Sequence, residues 1–183
     1  MKRCKWCNLN NPLYVKYHDE EWCKLNLDED YLLEMLILET FQAGLSWEII
    51  LNKRENFRQA FDNFDIRKIA NYDDKRVENL LANSGIIRSK QKIISTVSNA
   101  QILLNIKQEY GSFNHYLEGF HQGQIIYEID KTYNDLSIKI SKKLRQKDMK
   151  YVGEKIIYSF LQAIGIIYSH DEDCFLYKNN PTL

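Results

Sequence analysis

A chain of 183 residues and 21.8 kDa, 44% hydrophobic and 13% aromatic, can bury a core, which excludes a disordered chain and leaves little room for two full-sized domains. Twenty-five Lys and Arg balance twenty-five Asp and Glu, so no global positive field marks a nucleic-acid binder and only a local basic patch could serve one. No apolar run approaches the ~20 residues that span a bilayer, and MKRCKWCNLNNP lacks the apolar stretch of a signal peptide, so the expectation is a cytoplasmic protein with no membrane partner.

Two prolines and seven glycines offer little punctuation for hairpins, which favours an all-α class. In chain order, Asp28 to Phe41 reads as a helix apolar nearly all round, the pattern of a buried central helix. Gly44 fits its C-cap, and Ser46 fits the cap of a second helix that starts at Trp47 and runs towards Phe61. Asp65 to Ala70 and Asp74 to Asn83 read as short helices, the second stopped by Gly85. Ser89 to Tyr110 is a long amphipathic helix ended by Gly111. Phe113 to Phe120 is a short helix, and His121 to Tyr133 is irregular with a faint strand pattern over Gln124 to Ile129. Asp135 to Arg145 and Gly153 to Tyr168 are helical, joined by a turn over Gln146 to Val152, and Lys178 to Leu183 is expected to fray. No repeat, linker or low-complexity tract divides residues 1–183, which are expected to form a single domain.

Four residue groups could carry chemistry. Cys4, Cys7, Cys23 and Cys174 are not expected to form disulfides in a cytoplasmic chain, which leaves metal binding or plain burial. His170 and Cys174 are four apart, a spacing that puts two ligands on one side of a helical turn. At the other end Cys4, Cys7, His18 and Cys23 are all candidates. The Cys4-x-x-Cys7 spacing favours those two, yet Cys4 with His18 is geometrically equally open. A tetrahedral zinc drawing on both ends would tether segment 1–25 to segment 168–178.

Glu39 projects from the apolar surface of the first helix, near its C-terminus, where the helix dipole disfavours a negative charge. A buried carboxylate costs several kcal/mol unless paired, so Glu39 is either ion-paired, with Arg54 or Arg88 as partners, or functional. Trp6, Tyr14, Tyr17, Trp22 and Trp47 cluster in the first 47 residues and could be core, or the faces of a pocket for a planar ring, which would hold a cationic base best. Finally, Lys142, Lys143, Arg145, Lys147, Lys150 and Lys155 make the surroundings of the Lys147 to Gly153 turn the most basic stretch of the chain. That stretch is either an ordinary solvated helical hairpin or a grip on a nucleic-acid backbone.

These residues fall in an ordered set along nearly the whole chain. Arg3-Cys4 with Trp6, Pro12-Leu13-Tyr14, Tyr17-His18-Asp19 with Glu21-Trp22, and Leu38-Glu39 come first. Gln42-Ala43-Gly44-Leu45-Ser46-Trp47, Lys53-Arg54-Glu55, Phe57-Arg58, Gly85-Ile86-Ile87-Arg88 with Lys92-Ile93, Lys150-Tyr151-Val152-Gly153 and Tyr158-Ser159-Phe160 follow. The set resembles the 3-methyladenine DNA glycosylase I family of the helix-hairpin-helix glycosylase superfamily.

The resemblance implies an all-α bundle with a helix-hairpin-helix element, acting as a monomer on double-stranded alkylated DNA and on the 3-methyladenine base. It implies a structural zinc held by Cys4, His18, His170 and Cys174, with Cys7 and Cys23 as bystanders. It also implies a base pocket of Glu39 with Trp6, Tyr14, Tyr17 and Trp47, and a hairpin whose Lys147, Lys150 and Gly153 hold the DNA backbone. The chain departs from the family pattern at Cys23 and Asp148, where glycine is usual, and at Tyr168 and Ser169, where Asn-Asp is usual. Two other classes share part of these features: a zinc-stabilised DNA-lesion binder without turnover, and a metal hydrolase using His18 or His170 at an open zinc position.

Overall fold

The computed structural model describes residues 1–178; of the tail expected to fray, 179–183 lie outside them. Its framework is α2 (Glu29–Gln42), started by Asp28, whose side chain accepts from the Asp30 and Tyr31 N–H groups. Every residue from Leu32 to Phe41 is buried, so α2 is the central helix that its all-round apolar pattern implies. Around it pack α7 (Lys90–Tyr110), α8 (Phe113–His121) and α10 (Glu154–Ala163). One continuous hydrophobic core joins buried residues from Cys4 to Cys174.

Before α2 stands a helix that the apolar periodicity did not indicate, α1 (Pro12–Glu20). Asn11 caps it through the Leu13 and Tyr14 N–H groups and Pro12 occupies its first turn. An Asn-Pro start is a helix signal in its own right, independent of hydrophobic period. The expected helix from Ser46 to Phe61 is two helices, α3 (Trp47–Asn52) and α4 (Arg54–Ala60), broken at Lys53 (φ −104°, ψ 0°), whose Nζ is drawn to the Ser84 and Gly85 carbonyls. Ser46 occupies the N-cap position of α3, but its side chain makes no capping bond, contrary to expectation. Short helices α5 (Ile66–Ile69) and α6 (Asp74–Ala82) follow as the sequence indicates.

The C-terminal third corrects another boundary. The helix expected to reach Tyr168 stops at Ala163, because Gly165 turns the chain at φ +78° and a Cβ there would lie 2.3 Å from the Leu25 nitrogen. The backbone of residues 23–26 crosses that point, with Cys23 N–H bonded to Gln162 O and Asn26 N–H to Ile164 O. The freed residues form β2 (Ile167–Tyr168), which pairs in parallel with β1 (Ile126–Tyr127), the faint strand pattern of the irregular stretch. Between them in sequence lies α9 (Asp135–Gln146), which packs along α10.

Candidate active site and metal centre

Glu39 occupies the last turn of α2, 3% exposed. Neither sequence-proposed ion pair forms: Arg54 donates to Glu34 at 2.8 Å and Glu21 at 2.6 Å, and Arg88 is exposed while Glu39 is buried. Glu39 Oε2 has no hydrogen-bond partner, and burial pushes the carboxyl up from its ordinary value to about 8. A buried acid without a partner is costly and calls for a ligand to explain it.

That carboxyl lines a cavity of about 330 Å³. Trp6, Tyr14, Tyr17, Trp22 and Trp47 form its aromatic walls; Gln42, Ser159, Gln162 and Ser169 add polar groups, and Asp130, Lys131 and Asp171 complete the lining. Tyr17 lies against Trp47 with ring centres 5.2 Å apart, and Trp6 contacts Tyr14 at 5.2 Å and Trp22 at 4.7 Å. Burial raises the Tyr14 hydroxyl to about 12 and Tyr17 well above its ordinary value, so both remain neutral hydroxyls. Gln42 Oε1, Trp47 Nε1 and Ser169 Oγ are also buried without partners. Flat aromatic faces with orphaned donors and acceptors at the edges suit a planar, polar heterocycle. Sequence reasoning did not assign Gln42 or Ser169 to the site. Gln42 follows Glu39 by three positions and so shares its helix face, a signal that was available; Ser169 arrives from the distant segment just after β2.

Behind the aromatic wall four ligand atoms converge, those of Cys4, His18, His170 and Cys174, all within 4.8 Å of one another and all buried. Cys4 Sγ is 3.3 Å from His170 Nδ1, and Cys174 Sγ is 3.5 Å from His18 Nε2 and 3.6 Å from His170 Nδ1. A tetrahedron with zinc–sulfur bonds of about 2.3 Å and zinc–nitrogen bonds of about 2.0 Å has edges of roughly 3.3–3.8 Å, so the donor set fits such an ion. Asp19 accepts from His18 Nδ1 at 2.8 Å, which directs Nε2 at the cluster, and Arg3 grips Asp19 at 2.8 and 2.7 Å. Burial lowers His170 to about 4, keeping the imidazole in its neutral, ligating form, and pushes the Cys4 thiol up, so a thiolate there requires a compensating cation. The spacing that left Cys7 and His18 as alternatives is resolved by the fold: Cys7 Sγ faces the Tyr14 carbonyl, and Cys23 Sγ accepts from Ser169 N–H. Trp6 lies 5.3 Å from His18 and Trp22 4.8 Å from His170, so the cluster backs the pocket wall.

The profile of the methyladenine glycosylase family matches residues 6–177. DNA-3-methyladenine glycosylase 1 of Escherichia coli (strain K12) is 40% identical over 187 residues, covering 98% of this chain and 99% of its own. A crystal structure of 3-methyladenine DNA glycosylase I superposes with a TM-score of 0.92 at 39% identity, covering 97% of this chain and all of that one. A Tyr-to-Phe variant of 3-methyladenine DNA glycosylase I, solved in complex with 3-methyladenine, gives 0.91 at 32% identity over 98% of this chain and all of its own. The chain belongs to the methyladenine glycosylase family. The enzyme class that goes with that membership is the DNA-3-methyladenine glycosylase.

Two departures from the glycosylase family pattern then find a common physical basis. Cys23 (φ +61°) and Asp148 (φ +67°) both adopt left-handed backbone, the region glycine enters freely and other residues enter at a cost of about 1–2 kcal/mol. Asp148 belongs to the turn between α9 and α10, whose Met149 and Val152 are buried. The turn is fixed to α7 by Asn99, which bonds both the N–H and the carbonyl of Lys150 at 2.9 Å. Lys147 pairs with Glu109 at 3.0 Å, while Lys150 is exposed. Gly153 (φ −62°) caps α10 with no side chain of its own, which leaves the helix's first N–H groups uncovered.

Proposed function

We propose that this chain is a monofunctional DNA glycosylase that hydrolyses the N-glycosidic bond of 3-methyladenine in alkylated double-stranded DNA. The reading takes it as a cytoplasmic monomer built from one domain. No helix of the described residues is long and apolar enough to cross a membrane. The observation that carries the proposal is Glu39: an unpartnered buried carboxyl on the wall of an aromatic cavity, in a chain of the methyladenine glycosylase family.

The chemistry follows from charge. N3-alkylation makes adenine cationic, so when the bond to the sugar breaks, N9 takes its electrons and the base departs neutral. Unmodified adenine would have to leave as an anion. The protein's task is therefore recognition after extrusion of the nucleotide from the stack. Tyr17 and Trp47 would stack on the cationic ring for about 0.5–2 kcal/mol, and Glu39 would accept from the donor edge of the base. Neutral adenine forfeits the cation–π contribution and the strengthening that the base's own charge gives the hydrogen bond. Water captures the sugar carbon and gives its proton to solvent, so no lysine adduct forms.

In this reading the thiolates of Cys4 and Cys174 with His18 Nε2 and His170 Nδ1 would hold a zinc ion. Four protein ligands leave no open position, which makes the ion a structural clamp. What it would clamp is visible in the bonds already present between the two termini: Phe175 N–H to Lys2 O and Lys5 N–H to Asp171. The basic turn from Lys147 to Gly153, with Lys150 and the bare start of α10, would hold the DNA backbone as a helix-hairpin-helix element.

The test is release of base from DNA carrying 3-methyladenine, alongside unmodified and 7-methylguanine DNA. Preferential release of 3-methyladenine supports the reading. Tight binding of the free base with no release would instead identify a lesion-binding protein.

A further inference from the structure

A helix end leaves its last four carbonyls without helical partners. At the end of α2 those carbonyls sit between Glu39 and Trp47, so whatever satisfies them also shapes the pocket. Gln42 O accepts the Leu45 N–H at 2.6 Å. Two further acceptors are reached from another helix: Lys92, in the first turn of α7, donates from Nζ to Phe41 O at 2.7 Å and to Ala43 O at 2.5 Å. These bonds bracket the point where α2 gives way to the turn through Gly44, which adopts φ +80°. An ammonium at a helix C-terminus is electrostatically favourable as well as bonded.

The same ammonium lies 5.8 Å from the centre of the Tyr151 ring. Tyr151 belongs to the basic α9–α10 turn, and its hydroxyl donates to Gln91 Oε1 at 3.4 Å. One side chain therefore touches both the turn beside the base pocket and the turn read as the grip on DNA.

We propose that Lys92 is a positioning residue: it fixes the Ala43 to Ser46 turn, and with it Gln42 and Trp47, at the base pocket, and ties that turn to the basic hairpin through Tyr151. Its consequence for excision rests on the glycosylase reading; the geometry does not.

Lys92→Met keeps the aliphatic stem and removes the donor, while Lys92→Arg keeps the cation. Amide hydrogen exchange at Leu45, whose N–H is bonded to Gln42, reads the turn without any activity. Exchange at Leu45 should accelerate at least tenfold in Lys92→Met and return to within threefold of wild type in Lys92→Arg, with the α10 core amides unchanged. On DNA carrying 3-methyladenine, kcat should fall at least tenfold in Lys92→Met while KM for the duplex changes less than threefold. Tyr151→Leu should accelerate Leu45 exchange in the wild-type background and add nothing to Lys92→Met. Unchanged Leu45 exchange in Lys92→Met, acceleration spread over the whole chain, equal losses in Lys92→Arg, or additive effects of Tyr151→Leu would each overturn the proposal. A wild-type protein that releases no base would defeat the glycosylase reading, and the exchange comparison would still decide the role of Lys92.

Discussion

Replacing Glu39 by Gln should raise stability relative to the wild type by an amount that grows with pH. Burial raises the Glu39 carboxyl from an ordinary 4.5 to about 8, so between those values the unfolded chain is ionised while the folded one holds a proton. Its contribution to stability is therefore fully present below pH 4.5 and is lost as pH rises through about 8. At about 1.4 kcal/mol per pH decade, the loss reaches about 3 kcal/mol at pH 7 and levels off near 5 kcal/mol above pH 8. Glutamine has no proton to lose and keeps the shape, so the variant escapes this loss. Its buried amide adds only an offset that is the same at every pH. Urea denaturation of both proteins at pH 5, 7 and 8.5 gives the difference directly, and other titrating groups cancel in the subtraction. The pH-dependent part of the difference, about 3 kcal/mol between pH 4.5 and pH 7, corresponds to roughly 6–12 °C in Tm for a chain of this size. Above pH 8, where Glu39 is ionised, the same substitution removes a charge-assisted hydrogen bond worth about 1.5–3 kcal/mol, so affinity for the free 3-methyladenine base should drop roughly 10- to 100-fold by calorimetry, and by less at pH 7, where ionising Glu39 first costs about 1.4 kcal/mol. A stability difference that does not change with pH would show that Glu39 is hydrated in the folded protein, and the argument from its burial would fail.

The other predictions concern the clamp, the pocket wall and the crossing at Gly165. His170→Ala should lose bound zinc, measured by elemental analysis, and melt at lower temperature, because the ion would close a loop from Cys4 to Cys174. Full zinc occupancy in that variant refutes the ligand set. Trp47→Ala should weaken base binding and slow excision by the about 1–3 kcal/mol of one stacked base, with Trp47→Phe restoring much of both. A folded Trp47→Ala protein with undiminished excision ends the stacking role. Gly165→Ala drives a methyl group into the backbone of residues 24 and 25 and should cost more than about 3 kcal/mol, read by thermal unfolding. A melting temperature within a few degrees of wild type would contradict the close approach.

The helical class is legible along the chain, because apolar residues recur at helical period over most of it and turn residues are scarce. The burial of α2 was legible for a different reason: a helix apolar on nearly every face can sit only in the middle of a core. Glu39 stood out because an acid on the apolar surface near a helix C-terminus breaks a local rule. What tertiary structure alone decided was every question of choice between equivalent residues. Spacing could not choose His18 over Cys7, since both are within chain reach of Cys4; the caps that start α1 at Asn11 and the grip of Asp19 on His18 made the choice. Periodicity could not end α10 at Ala163, since Ile164, Ile166 and Ile167 continue the apolar stripe; the backbone of residue 25 crossing Gly165 ended it. Of the two ion pairs open to Glu39, the one with Arg54 was closed by Arg54 turning to Glu21 and Glu34, and the one with Arg88 by the exposed position of that side chain. Each of these depends on contacts between segments distant in sequence, whose geometry a local pattern does not encode, whereas burial and period are properties of a single segment and can be read along it.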